Sequence, residues 1–258
     1  MKQVITFILY IIGVFCIFLV INTKCFAQIK TIKFATEATF PPFVYVNPQG
    51  KIQGFDVDVM NALCKKIGAT CTLINQPFDS LVPSLKLGKF DAILEFNITA
   101  KRAKQVDFTK PFYINTFSFV AAKTSKLTIS NNDLKGKVIG VQNGSTSEHY
   151  VETMYGNLVK IKHYPSNEQA LLDLKNGRLD AVLTFTDFIV PWLEKGNSKD
   201  FAIIGKPIKN QKLLGGGAAI AVKKGNSELL QALNKAMAEI KADGTLKKMQ
   251  QHYFGTAK

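Results

Sequence analysis

No low-complexity stretch, no Pro/Ser-rich linker and no dense basic helix interrupts this chain of 258 residues. The first absence, with a hydrophobic content of 47%, excludes an intrinsically disordered protein. The second excludes two domains strung like beads. The third argues against nucleic acid, although 33 basic residues stand against 19 acidic ones. The lysines are scattered and no aromatic-basic motif accompanies them, which leaves a solvated basic surface as the reading. Cysteine is scarce at four, and no histidine lies near Cys64 or Cys71 in sequence, a poor basis for zinc. No metal and no cofactor is expected.

The longest apolar run, residues 4–21, follows Lys2 and precedes Cys25-Phe26-Ala27. This resembles a secretory signal peptide covering residues 1–27 and cleaved after Ala27. An uncleaved membrane anchor is the alternative, since 18 apolar residues can span a bilayer. The polar Asn22-Thr23-Lys24 before Cys25 is no lipobox, so a lipoprotein is not expected. Removal of the leader takes Lys2 and Lys24, leaving a net charge of +12 and Cys64 and Cys71 as the only cysteines. In an oxidising compartment these two, seven residues apart, read as a disulfide clipping a helix end to the next strand.

Ten residues occur nearly twice. Leu85-Lys-Leu-Gly-Lys-Phe-Asp-Ala-Ile-Leu94 and Leu174-Lys-Asn-Gly-Arg-Leu-Asp-Ala-Val-Leu183 agree at six positions, 89 residues apart. Each reads as a helix end, a glycine stop and a buried strand. The same unit is therefore built once in each of two similar lobes. Strands are expected at 32–34, 71–74, 92–94 and 117–122, with helices at 56–67 and 79–87 between them. A second series has strands at 137–141, 158–163 and 181–183, with helices at 146–154 and 168–174. A strand at 218–222 follows, then a helix capped by Ser227 running to residue 242 and a last one ending near residue 253. Two crossing segments near 115–120 and 213–221 join the lobes, and the carboxyl-terminal helices return to the first. This predicts an α/β protein with a cleft between lobes, divided as 28–116 and 215–258 for the first lobe and 117–214 for the second. Ligands collect beyond the carboxyl ends of such strands, here at residues 95–97 and 184–187.

Three further segments carry chemistry. Thr36-Glu-Ala-Thr-Phe-Pro-Pro-Phe43 places Glu37 and Phe40 at a strand end, and Phe78 lies in the corresponding place after the next strand. An acid between two aromatic faces suits a flat, delocalised cation, although both rings would pass as core in a chain with 19 phenylalanines. Thr99 can cap a short helix that aims Arg102 at the cleft, where a guanidinium grips a carboxylate. Gly140-Val-Gln-Asn-Gly-Ser-Thr146 is a strand-to-helix turn whose free N–H groups favour an anion. It lacks Gly-Lys-Ser/Thr, so nucleotide binding has little support.

Together with Gly54-Phe-Asp-Val-Asp58, Phe78-Asp-Ser-Leu-Val-Pro-Ser-Leu85, Ile98-Thr99, Val106-Asp-Phe-Thr109, Leu134-Lys-Gly-Lys-Val-Ile-Gly-Val141 and Asp243-Gly-Thr245, these motifs resemble the amino-acid-binding proteins of ABC importers. The resemblance, to solute-binding protein family 3, runs from Ile32 to Phe254. Within that family Cys64-Lys-Lys-Ile-Gly-Ala-Thr-Cys71 and Gln142-Asn-Gly-Ser resemble the arginine and lysine-arginine-ornithine binders. It implies a bilobed periplasmic-binding-protein fold that closes on a basic amino acid, arginine first. It further implies a monomeric periplasmic receptor that makes or breaks no bond and serves a membrane permease. Arg102 would hold the ligand α-carboxylate with the Thr146 N–H. Glu37 would face the distal cation between Phe40 and Phe78, Gln142 would belong to the same pocket, and Asn97 would stand next to the α-amino group.

The chain departs from that pattern twice. Where the family has a small-residue segment before Asn97, Leu94-Glu95-Phe96 is one residue shorter and adds a charge. Where the second lobe should supply an aspartate for the α-ammonium, Phe185 stands, with Asp187 two residues on. Either Glu95 or Asp187 takes over, Glu95 being the better candidate, or the ligand lacks a conventional α-amino group. Two other functions stay open: a periplasmic dehydratase of the cyclohexadienyl type with Glu95 as general acid, and a sensing receptor with no part in transport.

Overall fold

The alternation of apolar runs and amphipathic segments folds into two five-stranded sheets and a small three-stranded one. The structure, a computed structural model, describes residues 29–255. The expected leader lies outside these residues. Strand β1 (Thr31–Thr36) leads into the small sheet of β2 (Thr39–Phe40), β3 (Val44–Val46) and β4 (Ile52–Gln53). Helix α1 (Phe55–Ile67), β5 (Thr70–Asn75), α2 (Leu81–Lys86), β6 (Ala92–Asn97), α3 (Ala100–Ala103) and β7 (Val106–Phe108) follow. The chain then crosses to β8 (Phe117–Ala122), α4 (Asn131–Leu134), β9 (Val138–Gln142), α5 (Thr146–Tyr155) and β10 (Lys160–Tyr164). Next come α6 (Asn167–Lys175), β11 (Ala181–Phe185), α7 (Thr186–Glu194) and β12 (Phe201–Ile208). Past α8 (Gln211–Leu214) the chain returns through β13 (Ala218–Lys223) to α9 (Ser227–Ala242) and α10 (Thr245–Phe254).

The sheets run β5-β1-β6-β13-β7 and β10-β9-β11-β8-β12. In each, three parallel strands are followed by one antiparallel strand and an edge strand. Strand β6 is buried on both faces except at Glu95, and β11 except at Phe185, as parallel strands covered by helices must be. Helices α9 and α10 pack on α1, and the Tyr253 hydroxyl donates to Asp58 at 2.7 Å.

The repeated decapeptide performs the same physical task twice. Gly88 and Gly177 take left-handed φ values of 72° and 68°, which glycine adopts without steric cost. The next N–H groups, Lys89 and Arg178, turn back to the carbonyls of Ser84 and Asp173 at 3.1 and 2.9 Å, closing α2 and α6 alike. The shared aspartates then clamp the neighbouring strand. Asp91 accepts the Lys33 N–H at 2.7 Å, and Asp180 accepts the Val138 N–H at 2.8 Å. The shared alanines, Ala92 and Ala181, are fully buried.

Several elements differ from expectation. Strands β6 and β11 run on to Asn97 and Phe185 because β13 and β8 offer antiparallel partners beyond the reach of the parallel neighbours. Asn226, not Ser227, caps α9, its side chain accepting the Leu229 N–H at 3.3 Å. Helix α2 begins only after a 3-10 turn at Phe78–Ser80. The small sheet, the edge strands β7 and β12, and α7 were not expected. The disulfide between Cys64 and Cys71 joins the end of α1 to β5.

The loop that carries Phe40 is stitched to α1 by backbone alone. The Phe55 and Asp56 N–H groups donate to the Pro42 and Phe43 carbonyls at 3.0 and 2.9 Å, in place of a side-chain cap. Gly54 permits this approach: its φ is +130°, and a Cβ there would lie 2.3 Å from the Phe43 carbonyl oxygen. Gly54→Ala is expected to cost about 2–3 kcal/mol of unfolding free energy, measured by urea titration. A loss below about 0.5 kcal/mol would show that the loop yields freely.

Candidate functional site

Nine of the side chains singled out from the sequence line one cavity between the two sheets: Glu37, Phe40, Phe78, Glu95, Asn97, Arg102, Gln142, Thr146 and Phe185. The first sheet brings Thr36 and Glu37 from the end of β1, and Glu95 and Asn97 from the end of β6. Thr99 caps α3, its Oγ1 accepting the Arg102 N–H at 3.2 Å, which turns Arg102 toward the cleft. The second sheet contributes Gln142 from the end of β9. Ser145 caps α5, leaving Thr146 as its first residue, where the N–H has no acceptor within the helix.

Arg102 is held from several sides. Its guanidinium donates to the Asn97 carbonyl at 3.0 Å and, across the cleft, to the Gly144 carbonyl at 3.1 Å. It lies 3.8 Å over the Phe96 ring, with Phe78 at 5.4 Å. Burial lowers its pKa to about 10 against the opposing pull of Glu95, so it remains a cation at neutral pH. Glu37 also reaches across: the Gln142 amide donates to its Oε2 and the Thr39 hydroxyl to its Oε1. Asn167, which the sequence did not flag, donates to Gln142 Oε1 at 2.8 Å and so turns the Gln142 amide nitrogen toward Glu37. Asn167 opens α6 just past β10, a strand-end position that could have identified it. Leu81 and Ser147 also line the cavity, with no sequence signal.

The aromatic contacts cross the cleft too. Phe40 stacks on Phe188 of α7 at 4.5 Å, a partner not expected from the sequence, and meets the edge of Phe185 at 5.0 Å. Phe185 therefore packs against Phe40 and Phe117, while Trp192 pairs with Phe201. Asp187 is spent elsewhere. It accepts the Tyr113 hydroxyl at 2.8 Å and does not line the cavity.

Burial pushes the Glu37 carboxyl up, its hydrogen bonds to Gln142 and Thr39 opposing. Glu95 is raised well above the usual carboxylate range, first by burial and then by Asp56 and Glu37, with Arg102 pulling the other way. Asp56 is raised well above its range by burial. Neither Asp56 oxygen has a hydrogen-bond partner, and Glu95 Oε1 has none.

A family model, bacterial extracellular solute-binding proteins, family 3, matches residues 32–256. The chain belongs to this family. Among its relatives, the ABC transporter arginine-binding protein 1 of Escherichia coli K12 is 41% identical over 226 residues, which span 87% of this chain and 91% of that protein. A Salmonella typhimurium periplasmic binding protein, studied for its high arginine specificity, superposes with a TM-score of 0.81 at 37% identity, over 87% of this chain and 99% of its own. An ancestral amino-acid-binding protein, a precursor of cyclohexadienyl dehydratase, gives a TM-score of 0.75 at 28% identity, over 87% of this chain and 95% of its own. This family 3 protein thus has the expected bilobed α/β fold, with a cleft that its two sheets share. No helix among the described residues is long and apolar enough to cross a membrane.

A carboxyl with a raised folded pKa binds its proton more tightly in the native state. Its contribution to stability is whole below the ordinary glutamate value of 4.5 and is lost as pH rises through the folded value. The ligand-free protein is expected to lose thermal stability as pH rises above the ordinary glutamate value of 4.5, and Glu95→Gln, which cannot ionise, to lose less. Melting curves of both proteins at rising pH check this. Parallel curves would show that Glu95 does not carry the effect.

Proposed function

We propose that this chain is an exported, periplasmic receptor that binds a basic amino acid, arginine first, and delivers it to an ABC permease by closing its cleft. The observation that carries this reading is a cavity in which an acid and a base, Glu37 and Arg102, each bond across the cleft. Glu37 of the first lobe meets Gln142 of the second, and Arg102 meets the Gly144 carbonyl. Occupancy of the cavity is thereby tied to the distance between the lobes. The names of the relatives, arginine-binding among them, support the substrate.

In this reading Arg102 and the Thr146 N–H hold the ligand α-carboxylate, and Asn97 stands beside the α-amino group. Glu37, oriented by Gln142, takes the guanidinium. Phe78 flanks it, with Phe40 opposite once the opening of the second lobe withdraws Phe188. The moving bodies are residues 28–116 with 215–258 and residues 117–214, hinged on the two crossings. The receptor works as a monomer, makes no use of nucleic acid and needs no cofactor.

A dehydratase is the second reading, favoured by a protonatable Glu95 in the cavity and by the ancestral neighbour. Glu37 argues against it, because a second buried acid suits a cationic side chain better than a dianionic substrate. Incubation with prephenate-like acids separates the two, and turnover abolished by Glu95→Gln would establish the enzyme.

Calorimetric titration of the protein, stripped of co-purified ligand, is expected to show micromolar or tighter arginine binding. Arg102→Ala and Glu37→Ala should each weaken it about 30-fold or more, as loss of one partner of a buried charge pair does. Absence of binding by arginine, lysine, ornithine and histidine would sink the assignment.

A further inference from the structure

Glu95 stands in a backbone conformation that glutamate rarely adopts. Its φ is +56°, and Lys126 is the only other non-glycine residue with positive φ among the described residues. The cause is a slip in register between β6 and β13. Ala219 pairs with Phe96 and Ala221 with Ile93, so Leu94 and Glu95 together oppose the single residue Ile220. A bulge of this kind re-aims one side chain, and its left-handed position is ordinarily glycine's. Here it holds an acid whose Oε1 is buried without a hydrogen-bond partner in the cavity wall. Strain that places a carboxyl with an unpartnered oxygen in a cleft points to a ligand.

Across the cleft, the second lobe supplies no acid. Phe185 fills the expected position against Phe40, and Asp187 is occupied by Tyr113. Among the described residues lining the cavity, Glu37 and Glu95 are the only carboxylates and Arg102 the only cation. Two acids and one base complement a ligand with two cationic groups and one carboxylate.

We infer that Glu95 is the receptor for the ligand α-ammonium, moved by the β6 bulge from the second lobe to the first. The inference rests on the proposed binding of a basic amino acid and adds the residue that makes the cleft select α-amino acids over their des-amino counterparts. Its raised carboxyl fits this role, since an arriving ammonium displaces the proton that burial retains.

The test compares arginine with its des-amino analogue, which keeps the guanidinium and carboxylate, by calorimetry on the wild type, Glu95→Gln, Glu95→Gly and Asp187→Asn. The wild type is expected to prefer arginine by about 30-fold or more. Both Glu95 variants should bring that ratio near unity, and Asp187→Asn should leave it intact. Glu95→Gly also removes the left-handed strain and the orphaned carboxyl, so its melting temperature should rise by about 2–4 °C while arginine affinity falls. A residue with a structural role only would move stability and affinity together. A wild-type ratio near unity, an undiminished ratio in Glu95→Gln, or a collapse confined to Asp187→Asn would overturn the inference while the receptor assignment stands. Failure of the wild type to bind any basic amino acid would overturn both.

Discussion

A carboxylate enclosed away from water must be paired, protonated or matched by what enters beside it. The space between the two sheets is organised around that constraint. Glu37 is satisfied by Thr39 and Gln142, and Gln142 is itself turned by Asn167. Arg102 is satisfied by two carbonyls and two aromatic faces. Glu95 lies close enough to Arg102 to feel its charge, yet keeps one oxygen unpartnered and feels Asp56, whose two oxygens both lack partners. The imbalance is local, and the rest of the fold supports it.

That support comes from the way each sheet is finished. The parallel strands β1, β5 and β6 need only right-handed crossovers and apolar runs, and the same holds for β9, β10 and β11. The fourth strand in each sheet is of another kind, because it enters or leaves the other lobe. β13 and β8 lie antiparallel and extend their neighbours toward the cleft. Asn97 and Phe185 therefore sit in paired strand and not in loop, and their side chains are aimed by backbone hydrogen bonds. The bulge opposite Ile220 is possible because β13 provides a full-length partner from which β6 can slip.

The repeat was legible for local reasons. A glycine stop, an aspartate and a small buried residue each answer a requirement met within a few residues or on the adjacent strand, as Asp91 and Asp180 show. The candidate site was legible residue by residue, because acids, arginine and cap residues at strand ends are conspicuous in sequence. What joins them was not. The Phe40–Phe188 stack, the Asn167–Gln142 bond and the Tyr113–Asp187 bond span 148, 25 and 74 residues, and no short-range pattern encodes such pairings. The short strands β2, β3 and β4 escaped because two or three residues carry too little periodicity to read.

With both acids and the arginine on the first lobe, the second lobe faces the cavity with neutral groups: an amide, hydroxyls, a helix N–H and aromatic rings. A ligand biases closure only through what it gains in the closed state over the open one. Driving a two-state equilibrium from one extreme to the other takes about 5.5 kcal/mol. Hydrogen bonds to charged groups contribute about 1.5–3 kcal/mol each. Two bonds in the cavity that cross the cleft, Gln142 to Glu37 and Arg102 to Gly144, reach that scale together, and both set first-lobe charges against second-lobe dipoles. If both cationic groups of a ligand pair with first-lobe acids as proposed, closure would gain by excluding water from those pairs, which strengthens them. On the assignment proposed above, the chain would complete the pairing on the first lobe before closing, and the second lobe would supply the dry environment around it.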